Sequence, residues 1–92
     1  MTMTIPHFIN GQPFAGDSVR SAQVFNPATG EVTGRVPLAS RVDVESAIAS
    51  AQSAFPGWAA TTPLARARVM FKFKQLLEEH TDEIALAITH EH

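Results

Sequence analysis

The chain has 92 residues, a formal net charge of -2, 45% hydrophobic and 17% charged residues, and no cysteine. That balance excludes a disordered chain and a broad basic field for nucleic acid or an anionic membrane. It also excludes disulfides, thiolate metal sites and a cysteine nucleophile within these residues. A compact chain of this size buries roughly 64% of its unfolded surface, which leaves room for a thin core only.

The N-terminal "MTMTIPHF" has neither the basic nor the apolar segment of a signal peptide. No apolar run approaches the roughly 18 residues that span a bilayer. Together with the missing cysteines, this composition fits a cytoplasmic protein. Residues 1–40 hold four of the five glycines and four of the six prolines, and residues 41–92 are rich in Ala, Leu, Arg and Glu. The contrast predicts strands and turns over 1–40 and helices over 41–92, an α+β organisation. There is no internal repeat, no low-complexity segment and no interdomain linker.

"HFINGQPF" predicts a hairpin. Asn10-Gly11 tolerates φ > 0 at both centres of a type I′ turn, Phe8 and Phe14 flank it, and Pro13 marks a short or edge strand. "SAQVFNPATGEVTGRVPL" reads as strand, turn, strand. Val24 and Phe25 lead into the turn Asn26-Pro27-Ala28-Thr29-Gly30. Val32, Gly34 and Val36 then alternate with Glu31, Thr33 and Arg35, a half-buried strand that Pro37 ends.

Ser40-Arg41-Val42-Asp43 has the hydroxyl and acid of a capping box, although Asp is shorter than the usual Glu. Val44, Ala47, Ile48, Ala51 and Phe55 follow at helical spacing. Pro56-Gly57 is expected to stop that helix, with Trp58 folded back over its end. Thr62-Pro63 starts the second helix as N-cap and first helical residue. Its apolar face carries Ala67, Met70, Phe71 and Leu77, with Val69 and Phe73 beside them. Arg66, Arg68, Lys72, Lys74, Glu78 and Glu79 form the wet side. Thr81 is expected to cap a third helix whose first turn holds Asp82 and Glu83, where the helix dipole favours acids. Ile84, Ala87 and Ile88 form its apolar stripe, with Leu86 alongside. The closing "DEIALAITHEH" has no Gly, Asn or Pro stop signal. The expectation is a helix still running at His92.

The search for chemistry finds scaffold. Gly30 and Gly34 have the wrong spacing for a dinucleotide or Walker loop, and a strand rather than a helix follows the first of them. His90 and His92 lie two apart and so point to nearly opposite sides of a helix, unlike the i, i+4 pair of a helical metal site. Glu78, Glu79, Asp82 and Glu83 bracket a helix junction with nothing apolar around them to split their pKa values, so a solvated face is the expectation. Acidic residues beside Arg66, Arg68, Lys72 and Lys74 argue against a nucleic-acid stripe. None of the serines sits in a G-x-S-x-G elbow.

Taken in order, "FINGQPF", "FNPATGEVTGRVP" and "DVESAIASAQSAFPGWAATTPLARARVMFKFKQLLEEHTDEIALAITHEH" resemble the N-terminal segment of the aldehyde dehydrogenase superfamily. The resemblance runs from about Phe8 to His92. "HFINGQ", "ASAQSAFPGWAATTPLARARVMFKFKQLL" and "ITHEH" are most similar to its CoA-acylating, NAD-dependent methylmalonate-semialdehyde dehydrogenase branch. The resemblance implies outer strands and packing helices of an α/β NAD-binding domain. It implies NAD and CoA as cofactors of the parent enzyme, with neither expected on this chain alone. It also implies that the helix at His92 continues. The family's catalytic cysteine, general-base glutamate, oxyanion-hole asparagine and NAD site would all lie beyond these residues. No catalytic, cofactor-binding or metal-binding residue is therefore carried onto this chain.

Family members also bind a monovalent cation through carbonyls that would fall near Val24 and Phe25, but two carbonyls alone do not hold a hard cation. The expected partner is the rest of a dehydrogenase subunit, in a homo-oligomer, or copies of the chain itself through apolar helix faces. Nucleic acid and membrane are not expected partners. The alternative is a standalone, self-associating helical module without catalysis.

Overall fold

The computed structural model describes residues 2–92. Five strands precede three helices: β1 (Met3–Thr4), β2 (His7–Ile9), β3 (Gln12–Phe14), β4 (Ser21–Phe25), β5 (Val32–Pro37), α1 (Arg41–Ala60), α2 (Pro63–Glu79) and α3 (Thr81–Glu91). The hairpin forms as expected. β2 and β3 pair antiparallel across Asn10 at φ 54° and Gly11 at φ 75°, the two left-handed residues a type I′ turn needs. Phe8 opposes Pro13 and His7 opposes Phe14, so the two phenylalanines are not cross-strand partners.

The second sheet has the order β1-β5-β4. β4 and β5 are antiparallel, with Ala22 opposite Val36 and Val24 opposite Gly34. Their turn is held by Asn26, whose carbonyl accepts from Gly30 N–H at 2.8 Å and whose side chain accepts from Ala28 N–H at 2.9 Å. Gly30, at φ 75°, closes the turn and leads into β5. β1 adds in parallel to β5, with Met3 opposite Gly34 and Thr4 opposite Arg35. Nothing in "MTMT" signals this strand. It fits because Gly34 has no side chain: a Cβ there would lie 3.2 Å from the Met3 carbonyl and 3.3 Å from Ile5 Cδ1.

Two expectations about the helices are overturned. Pro56-Gly57 does not stop α1, which runs through both to Ala60. Proline's fixed φ is compatible with a helix, and what it removes is the bond to the Gln52 carbonyl. One further turn survives because Thr61 closes it: its N–H donates to Trp58 O at 3.1 Å and its hydroxyl to Gly57 O at 2.8 Å. Trp58 remains 45% exposed. Nor does Thr81 cap α3. Its hydroxyl donates backward to the carbonyls of Leu77 and Glu78, both at 3.0 Å, and so closes the end of α2. His80 occupies the N-cap position of α3 without a side-chain cap.

Thr62 does cap α2, accepting from Ala65 N–H at 3.2 Å, with Pro63 as first helical residue.

The Cα trace spans 47 × 35 × 16 Å with a radius of gyration of 16.8 Å. A compact chain of this length has a radius near 12 Å. The short dimension is little more than one helix diameter, where a stable domain needs two packed layers. The accessible surface is 7448 Å², against about 5,200 Å² for a compact chain of this mass. Among the described residues no hydrophobic side chain is fully buried. Phe8, Phe55, Phe71 and Phe73 are more than half exposed. α3 lies against β4, whereas α1 and α2 lie open.

Candidate functional site

Two constructed features stand out from the open surface. The first is a clasp at the start of α1. Asp43 is 3% exposed, the one charged side chain buried among the described residues. It completes the capping box despite its short side chain. Ser40 N–H donates to Asp43 Oδ2 at 3.0 Å, and Asp43 N–H donates to Ser40 Oγ at 3.1 Å. The same carboxylate reaches across the chain to accept Asp17 N–H at 3.3 Å. Ser40 Oγ–H in turn donates to Asp17 Oδ1 at 2.6 Å. Gly16, at φ 76°, permits this approach, since a Cβ would lie 2.6 Å from Asp43 Oδ2.

Asp43 is held below the ordinary carboxylate value of 3.8, chiefly by the Ser40 N–H. Burial opposes this, while the Ser40 side chain, the Asp17 N–H and a charge on His7 assist it. The helix N-terminus favours the same ionised form. The clasp ties the β3–β4 connection to α1.

The second feature is an open groove of about 390 Å³ between the β1-β5-β4 sheet and α3. Ile5, Val24 and Gly34 form its floor, Leu86 and Ala87 one wall, and Glu83 and His90 its rim. Its lining is mostly apolar, with few convergent polar groups to orient a ligand.

The candidate chemical residues are spread out. His7 packs its ring 6.4 Å from that of Phe14, and its Nε2 is buried without a hydrogen-bond partner. His80 Nδ1 faces Glu83 Oε1 at 3.2 Å. Glu78 pairs with Lys74 at 3.2 Å, and Glu79 accepts from Gln75 at 2.9 Å. These carboxylates are solvated, as their surroundings in sequence predict. Gly30 lies in the β4–β5 turn with φ 75°, and Gly34 lies within β5. The Val24 carbonyl, near which a family cation would fall, accepts the Thr33 hydroxyl at 3.4 Å. No group of three His, Cys, Asp or Glu side chains converges among the described residues, and no helix there is long and apolar enough to cross a membrane. The long-range reach of Asp43 to Asp17 carried no sequence signal beyond the capping box itself.

The similarities to known proteins agree with this scaffold. Residues 14–92 match the aldehyde dehydrogenase family. The malonate-semialdehyde dehydrogenase of Pseudomonas aeruginosa is 48% identical over 89 residues, which is 97% of this chain and 18% of that protein. Malonate-semialdehyde dehydrogenase 3 of Geobacillus kaustophilus is 46% identical, over 96% of this chain and 18% of its own length. A crystal structure of a provisionally named methylmalonate-semialdehyde dehydrogenase from Sinorhizobium meliloti, complexed with NAD, superimposes with a TM-score of 0.97 at 50% identity. The match covers 100% of this chain and 19% of that one. The methylmalonate-semialdehyde dehydrogenase of Oceanimonas doudoroffii gives a TM-score of 0.92 at 56% identity. The chain thus spans about a fifth of the length of the proteins it matches. The chain belongs to the aldehyde dehydrogenase family.

Proposed function

We propose that these residues are the N-terminal segment of an NAD-dependent, CoA-acylating methylmalonate- or malonate-semialdehyde dehydrogenase. The observation that carries this reading is the 0.97 TM-score at 50% identity over 100% of the chain to an NAD-complexed relative. In this reading the segment contributes outer strands and packing helices to an NAD-binding domain, in a cytoplasmic homo-oligomer. The family reaction runs by thiolate attack on the aldehyde, hydride transfer to NAD and acyl transfer to CoA. With no cysteine, these residues supply no nucleophile for it. Their role is to build and cover the domain that holds the reacting groups. Taken alone, the chain is expected either to associate with copies of itself or to be only loosely folded, because its apolar helix faces lie open.

The test is the product of the native gene. The expected product has an intact mass several-fold that of the 92-residue chain. It forms NADH from methylmalonate or malonate semialdehyde, and the acyl-CoA product when CoA is supplied. A gene product of this mass alone, or a full-length product that reduces no NAD with either semialdehyde, overturns the reading.

A further inference from the structure

We draw no further inference here: the strongest candidate, the open apolar groove between the β1-β5-β4 sheet and α3, carries nothing, because the chain spans only about a fifth of the length of the proteins it matches and nothing in the structure shows what covers it.

Discussion

Asp43 and Ser40 cap each other reciprocally: Ser40 N–H reaches Asp43 Oδ2 at 3.0 Å and Asp43 N–H reaches Ser40 Oγ at 3.1 Å. The pair fixes the entry to α1 and also draws in Asp17, so a local capping motif doubles as a link over 26 residues. Ser40→Ala removes both the cap acceptor and the donor to Asp17 Oδ1. Losing an N-cap hydroxyl typically costs about 1 kcal/mol. The expected outcome is a lower helical signal by circular dichroism and faster amide exchange over the first turn of α1 and at Asp17. Unchanged exchange at Asp17 would show that the link is dispensable.

The same carboxylate sets a pH dependence. Asp43 titrates below its ordinary value of 3.8 in the folded chain. A group with a lowered folded pKa contributes stability that is fully present above its unfolded value and is lost as pH falls through the folded one. The clasp is therefore expected to be pH-insensitive well above 3.8 and to open on acidification below it. NMR titration of the Ser40 and Asp17 amides reads this directly. Asp43→Asn is expected to flatten the transition at both amides.

Glycines 11 and 16 share a left-handed φ, 75° and 76°, but differ in surroundings. A Cβ at Gly11 meets nothing within 4 Å, while one at Gly16 meets Asp43 Oδ2 at 2.6 Å. Gly11→Ala is expected to cost only the left-handed penalty of about 1–2 kcal/mol, confined to the β2–β3 hairpin. Gly16→Ala adds a steric clash and is expected to break the Asp43–Asp17 contact as well. Hydrogen exchange at Asp17 separates the two: protected in Gly11→Ala, exposed in Gly16→Ala.

α1 tolerates Pro56 at the expense of one main-chain bond. Pro56→Ala restores a donor for the Gln52 carbonyl, and a helix-interior proline costs about 3 kcal/mol relative to alanine. The expected outcome is a gain in helicity and slower exchange in the last two turns of α1. A loss of helicity would mean that the proline ring makes a contact α1 depends on.

Gly34 sets how closely β1 can approach β5. Gly34→Val would place a Cβ 3.2 Å from the Met3 carbonyl, with two methyls beyond it. Loss of protection at Ile5 N–H, which donates to Arg35 O at 2.8 Å, is the expected sign that β1 has detached. The β4–β5 pairing is expected to persist, because it is held along its length by its own ladder and by the Asn26 turn.

Local chemistry was readable in the residues themselves. Asn10-Gly11, Asn26 to Gly30, the Ser40–Asp43 box and Thr62-Pro63 each act within a few positions, so their partners are visible in the same short string. The ordered motifs also carried the family. What only the tertiary structure decided are the contacts between distant segments and the choices between nearly equal local options. β1 pairs with β5 because Gly34 leaves space for it, a fact held thirty residues away from Met3 and Thr4. Asp17 belongs to the Asp43 clasp because Gly16 can turn left-handed against it. Thr81 could cap the helix ahead or close the helix behind, and the α2 carbonyls won its hydroxyl. α1 could end at Pro56 or pass through it, and the Thr61 bonds made the extra turn hold. The family resemblance already implied that Phe8, Phe55, Trp58, Met70, Phe71 and Phe73 would need cover from beyond these residues, and the structure leaves all six exposed, because an apolar stripe states that a helix face needs cover and only the arrangement in space shows how little is supplied.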